Sequence, residues 1–118
     1  MEKPGKLLTI RENHLFSRLY SKGKSFPGRC VALYCLRNYG GKDTKVGITV
    51  SKSRGNAVVR NRIKRRIRES LRLFYPFMKE GYLIVVVARQ ASVSAQYGEI
   101  SDELYDLLKK AALLGKKE

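Results

Sequence analysis

Acidic residues are scarce in this chain: ten Asp and Glu stand against 25 Lys and Arg. A nuclease that held its own divalent metal would need clustered carboxylates. The densest set, Glu99, Asp102, Glu103 and Asp106, falls near the start of a predicted helix, where the helix dipole already accounts for it. Histidine occurs once, as His14, and reads as a helix-surface or core-edge residue. The two cysteines, Cys30 and Cys35, form no CxxC pair, and no HExxH spacing occurs, so no metal site is expected. On one strand these thiols would point to opposite faces, which disfavours a disulfide and predicts two reduced core thiols. No apolar run approaches the length that spans a bilayer. The opening "MEKPGKLLTIREN" has neither a long apolar stretch nor a small-residue cleavage site, so no signal peptide and a cytoplasmic location are expected.

What is abundant is positive charge. The formal net charge is +15 and the pI about 10.2, in a chain of 118 residues that is 43% hydrophobic. That content suits a globular fold, and the length predicts a single domain over residues 1–118 with one modest core. An excess of one sign costs folding energy through self-repulsion, which makes sense if a polyanion is usually bound.

No repeat, low-complexity segment or long linker interrupts the chain. "TIRENHLFSRLYSKG" predicts a short helix, capped by Thr9 with Glu12 three residues on, gathering Leu15, Phe16, Leu19 and Tyr20 on one face before Gly23. "GRCVALYCLRN" alternates as a strand, and "YGGKD" suits a hairpin connection. In "TKVGITVSK", Val46, Ile48 and Val50 face one way, while Gly47, Thr49 and Ser51 form a small polar face with room for something to lie across it. Asn56 is a good cap for a helix from about Ala57 to Phe74, with Pro76 just beyond. "GYLIVVVARQ" is a strand apolar on both faces, and a last amphipathic helix with a Ser101 cap ends near Gly115. The order is α-β-β-β-α-β-α if residues 25–38 hold two strands, or α-β-β-α-β-α if they hold one. Both are α+β: a two-layer α-β sandwich with one small mixed sheet and helices packed on it.

The long helix carries the charge. Six basic side chains fall between Arg60 and Arg68. At about 100° per residue, Val59, Ile63, Ile67, Ser70, Leu71 and Phe74 form one stripe, the predicted core face. Lys64, Arg65, Arg68 and Arg72 fall opposite, with Arg62 at one margin, Asn61 near the middle, and Arg60 and Arg66 flanking the apolar stripe. A solvated helix face normally mixes signs to gain pairs one turn apart; here Glu69 is the only acid between Ala57 and Phe74. A membrane partner would need the apolar stripe free for lipid, and that stripe is the best core surface the chain has. Nucleic acid remains, and folded RNA, docked by phosphate contacts, fits a helix too wide for the A-form deep groove. Arg offers bidentate phosphate contacts, whereas Asn61 offers one oriented hydrogen bond.

The run "KVGITVSKSRGNAVVRNRIKRRIRES" resembles the signature of the bacterial ribonuclease P protein component. The pattern GNAV-x-RNR-x-KR-x-x-RE is present as Gly55, Asn56, Ala57, Val58, Arg60, Asn61, Arg62, Lys64, Arg65, Arg68 and Glu69. The flanks "HLFSRLYSKGKSF" and "GYLIVVVAR" fall where that family has its first helix and last strand. Ser53 stands where many members carry a second lysine. The resemblance implies a fold like ribosomal protein S5 domain 2, with a left-handed βαβ crossover against the usual preference. It also implies removal of the 5′ leader from precursor tRNA by a holoenzyme endoribonuclease. Its ribonuclease P RNA would be the catalyst and would hold the Mg²⁺, with one protein per catalytic RNA and a protein inactive alone. RNA binding would then fall to Arg54, Asn56, Arg60, Asn61, Arg62, Lys64, Arg65, Arg68 and Arg72, and leader binding to a cleft between first helix and sheet.

Single strands bind aromatic platforms in a positive groove. Phe16 and Tyr20 share a helix face, Tyr34 lies on the next strand, and Ser51, Lys52 and Arg54 lie where a small-faced strand ends, placed to hold leader phosphates. Phe16 is divided between a core role and a cleft role. A structural RNA-binding protein of ribosomal type would share the charge without needing the Gly55–Glu69 pattern, and a nuclease acting alone would cleave without RNA. Because each neutralised phosphate releases condensed cation, RNA affinity is expected to fall steeply and linearly in log–log terms with salt. Filter binding across a salt series checks this, and a flat dependence would sink the electrostatic reading.

Overall fold

The computed structural model describes residues 7–115. It contains helix α1 (Asn13–Lys22), strands β1 (Lys24–Pro27), β2 (Val31–Arg37) and β3 (Lys45–Thr49), helix α2 (Ala57–Phe74), strand β4 (Tyr82–Ala88) and helix α3 (Tyr97–Lys110). Residues 25–38 therefore hold two strands, the first of the two orders the pattern allowed. The sheet order is β1-β2-β4-β3, with β4 antiparallel to β2 and parallel to β3. Adjacent parallel strands cannot be joined by a tight turn, and α2 makes the crossover between them.

The apolar run of β4 explains its central place, since only an inner strand is covered on both faces and both edges. This overturns the hairpin expected at "YGGKD": β2 and β3 do not pair, because β4 lies between them. The glycines still mark a turn, held where the Asn38 side-chain nitrogen donates to the Asp43 carbonyl at 2.8 Å and the Asn38 N–H to the Gly81 carbonyl at 2.8 Å.

The helix starts also differ from expectation. Thr9 does not cap α1; it lies in an extended segment that bridges to Val46. The Ile10 N–H donates to the Val46 carbonyl and the Val46 N–H to the Leu8 carbonyl, each at 2.9 Å. Part of the open edge of β3 is satisfied in this way, which outweighs a local capping box. Glu12 takes the cap position without a capping hydrogen bond. The last helix begins before Ser101, at Tyr97, where the Glu99 carboxylate accepts the Gln96 N–H at 2.9 Å. It ends at Lys110, and Gly115 instead donates to the Phe77 carbonyl at 3.1 Å.

On one face of the sheet, Val31, Leu33, Cys35, Val46, Ile84 and Val86 meet Ile63, Ile67 and Leu71 of α2 and Ile100, Leu104 and Leu108 of α3. On the other face α1 covers only part, through Leu19 against Leu83 and Val85. Both cysteines are free and buried on the α2–α3 side. Cys30 precedes β2 and is not on the strand, so the opposite-faces argument does not apply to the pair. Burial pushes both thiols up from their usual range, Cys30 with help from the nearby Glu103 carboxylate, so neither is a ready nucleophile at neutral pH.

Glu103 ties α3 to the entrance of β2: its carboxylate accepts the N–H groups of Cys30 at 2.8 Å and Val31 at 2.9 Å. Any side chain at Gly28 would collide with that carboxylate. Glu103→Ala leaves two N–H groups unpaired and is expected to cost about 2 kcal/mol or more. Urea denaturation reads the loss, and a change under about 0.5 kcal/mol would mean that water replaces the carboxylate freely.

Candidate RNA interface

The start of α2 is fixed by backbone chemistry. Gly55 has φ +148°, and a Cβ there would meet the Val59 side chain at 2.9 Å, so glycine is required on both counts. The Asn56 side-chain oxygen accepts the Val59 N–H at 3.0 Å and caps the helix. From there the stripe packs as its periodicity predicts: Ile63, Ile67, Ser70 and Leu71 are fully buried, Val59 and Phe74 half-buried. Among the described residues the buried Ser70 hydroxyl has no hydrogen-bond partner.

The basic side chains divide into two sets. Arg65, Arg68 and Arg72 are exposed with Asn61, and Lys64 is half-buried; among the described residues none of the five has a hydrogen-bonding or ionic partner. The other set is spoken for. The Arg60 Nε donates to the Gly55 carbonyl at 3.1 Å, and the Arg54 guanidinium to the Gln90 side-chain oxygen. Arg62 reaches the Val93 carbonyl at 3.4 Å and Arg66 the Ala95 carbonyl at 2.6 Å, so two arginines of the ridge pin the stretch that links β4 to α3. Of the nine RNA-binding residues expected, Asn61, Lys64, Arg65, Arg68 and Arg72 thus stand free, while Arg54, Asn56, Arg60 and Arg62 each hold the fold as well. Periodicity gave no hint of these bonds, because it locates a helix margin and not the carbonyl beside it.

The second surface lies across the sheet. Strand register sets Tyr34, Val85 and Gly47 in one row and Ala32, Val87 and Thr49 in the next. Tyr20 of α1 spans them. Its hydroxyl is 2.9 Å from the Thr49 hydroxyl, and its ring meets Tyr34 edge-on at 5.1 Å and 81°. Ala32 and Val87 remain half-exposed beside this pair. Phe16 is both core and wall: it packs with the α1 cluster, and a Cβ at Gly47 would stand 2.8 Å from its ring. The room predicted over the small face of β3 is therefore filled at Gly47 by Phe16 and bridged at Thr49 by Tyr20. Ser51 and Lys52 follow the end of β3, both exposed, with the Ser51 hydroxyl 2.7 Å from that of Ser53. Phe16, Tyr20 and Tyr34 are brought together, and Ser51 and Lys52 sit at their rim.

Among the described residues no group of three or more His, Cys, Asp or Glu could hold a metal ion, and no helix is long and apolar enough to cross a membrane. His14 is exposed on α1.

The model of the Ribonuclease P family matches residues 5–112. The chain is 47% identical over 105 residues to the ribonuclease P protein component of Clostridium novyi, covering 88% of this chain and 93% of that one. Its structure is similar to that of the Staphylococcus aureus RNase P protein, with a TM-score of 0.84 at 35% identity, over 93% of this chain and all of that one. A second Staphylococcus aureus structure, described as a mutant with defective mRNA degradation activity, matches with a TM-score of 0.83 at 37% identity, over 90% of this chain and 89% of that one.

The two sets of arginines make opposite predictions. Arg66→Ala removes the bond to the Ala95 carbonyl and is expected to cost about 1–2 kcal/mol of stability. Arg65→Ala, next along the helix, is expected to cost no more than about 0.5 kcal/mol while lowering RNA affinity. Denaturation and RNA-binding titrations of the two proteins check this, and the reverse ranking would mean that α2 is rotated from the orientation described.

Proposed function

The chain belongs to the ribonuclease P protein family, and from that premise we propose that its two surfaces take two different RNAs. The outer face of α2 binds the ribonuclease P RNA, through Arg65, Arg68 and Arg72 as phosphate contacts and Asn61 as an oriented one. The face shared by α1 and the sheet holds the single-stranded 5′ leader of precursor tRNA, with Tyr20 and Tyr34 as stacking platforms and Ser51 and Lys52 at its rim. The observation that carries this reading is the free set on α2: Asn61, Lys64, Arg65, Arg68 and Arg72 have no side-chain partner among the described residues, on a helix whose inner face is locked in the core.

In this reading the protein lowers the Coulomb cost of bringing two polyanions together and fixes the leader, while the bond is cleaved by the RNA. The described residues do not fit a Mg²⁺ site of their own, so the ions are assigned to the RNA subunit. One protein per catalytic RNA, acting in the cytoplasm, completes the proposal. The mRNA degradation activity named for the Staphylococcus aureus protein favours a second reading, in which the protein cleaves RNA unaided. Precursor tRNA cleavage at near-physiological Mg²⁺, with and without a bacterial ribonuclease P RNA, separates them. Cleavage only with the RNA supports the first reading, and cleavage by RNA-free protein supports the second.

Tyr34→Ala tests the leader assignment more cleanly than Phe16→Ala, because Phe16 also packs in the core. Loss of one stack is worth about 1–3 kcal/mol. The reconstituted Tyr34→Ala holoenzyme is expected to bind precursor tRNA about tenfold more weakly and mature tRNA as before. Equal losses for both would take Tyr34 out of the leader site.

A further inference from the structure

A hollow of about 140 Å³ lies between the two surfaces, where the segment 7–10, α1 and α2 meet at the outer edge of β3. Ile10, Phe16 and Ile48 give it an apolar side, and Lys64 and Arg68 line it from α2. A dry cavity of about 150 Å³ is known to accept a benzene-sized ring, so one ring of a base fits inside this hollow while the rest extends through its open side. Lys64 and Arg68 are one helical turn apart, on the same side of α2, and neither has a partner among the described residues. Two cations without a partner among the described residues, beside an apolar wall, suit an anion attached to something flat and apolar.

The main chain adds a second, independent feature. Val46 directs both its N–H and its carbonyl away from β4, to Leu8 and Ile10. Peptide groups alternate along a strand, so the next outward pair belongs to Ile48, which lines the hollow. No described residue bonds to that pair. An unpaired N–H and carbonyl side by side match the neighbouring donor and acceptor on the pairing edge of a nucleobase.

We propose that this hollow is a single-nucleotide site. An unstacked nucleobase enters against Phe16 and Ile48, sets its pairing edge on the Ile48 N–H and carbonyl, and leaves its phosphate to Lys64 and Arg68. Because a base of any kind has adjacent donor and acceptor groups, the site tolerates many sequences. Phe16 belongs to the aromatic surface and Arg68 to the basic ridge, so a strand passing from one surface to the other meets this site on the way. A peptide strand would also pair with the open edge of β3, but it would leave Lys64 and Arg68 without an anion. The proposal rests on the reading of the chain as a binder of single-stranded RNA, though not on which RNA supplies the nucleotide.

The test uses the full-length protein, labelled with nitrogen-15, and free ligands: adenosine 5′-monophosphate in one series and inorganic phosphate in another. Adenosine 5′-monophosphate is expected to shift the Ile48 amide and the Phe16 ring resonances saturably. Phosphate alone should move only resonances of α2. In the double variant Lys64→Gln, Arg68→Gln the nucleotide affinity should fall at least about tenfold, as loss of charge-assisted hydrogen bonds implies. Should that variant fold poorly, the Ile48 amide of the unaltered protein still decides. An unmoved Ile48 amide up to about 10 mM nucleotide, a concentration that would detect very weak binding, overturns the proposal. So do identical shifts with nucleotide and with phosphate, which would make the hollow a simple anion patch. No tRNA enters the experiment, so its failure leaves the Tyr34 measurement to judge the leader site separately.

Discussion

The rotation of α2 about its own axis is the constraint on which the rest depends. Ile63, Ile67 and Leu71 are fully buried against the sheet and α3. Burying each is worth about 1.5–3 kcal/mol, so the three together resist rotation by several kcal/mol. Repulsion among exposed like charges is smaller, about 1 kcal/mol or less for each pair in water. Packing wins, and it holds Arg65, Arg68 and Arg72 together on the outside whether or not they have a partner. The margin bonds from Arg62 and Arg66 to the Val93 and Ala95 carbonyls brace the same orientation. Positive charge that the core cannot relieve is left for a polyanion to neutralise.

The crossover from β3 through α2 to β4 then links the ridge to the aromatic face. Because α2 starts just beyond the end of β3, Ser51, Lys52 and Arg54 fall between the two surfaces. Gly47 does for α1 what the apolar stripe does for α2. Without a side chain there, the Phe16 ring can close on the sheet, and this seats α1 so that Tyr20 reaches Thr49 and Tyr34. A substitution at Gly47 would act on the aromatic surface through the Phe16 ring.

Much of this was legible in the chain. The stripe of α2 runs for 18 residues, long enough that its period fixes both the helix and its buried side. The run in β4 is apolar at every position, which marks an inner strand. The partners of β3 were not legible, since Gly40 and Gly41 encode a turn and say nothing about which strand comes to lie alongside. Thr9 and Glu12 satisfy a local capping rule, yet the open edge of β3 claims Thr9, a demand that arises only once the sheet exists. At the site, the motif identified the ridge correctly as a basic face. It did not distinguish Arg65 from Arg66, because the difference lies in a carbonyl 29 residues away along the chain.

The central claim is that one face meets the catalytic RNA and the other the leader. Val58 is 73% exposed on the outer side of α2, and Ser25 is exposed beside Tyr34 on the other face. Neither has been given a binding role, so each can carry a photoreactive side chain without removing a contact. In the reconstituted holoenzyme with precursor tRNA, the probe at position 58 is expected to cross-link to the ribonuclease P RNA and the probe at position 25 to the leader. Cross-links from both positions to the same RNA would contradict the account.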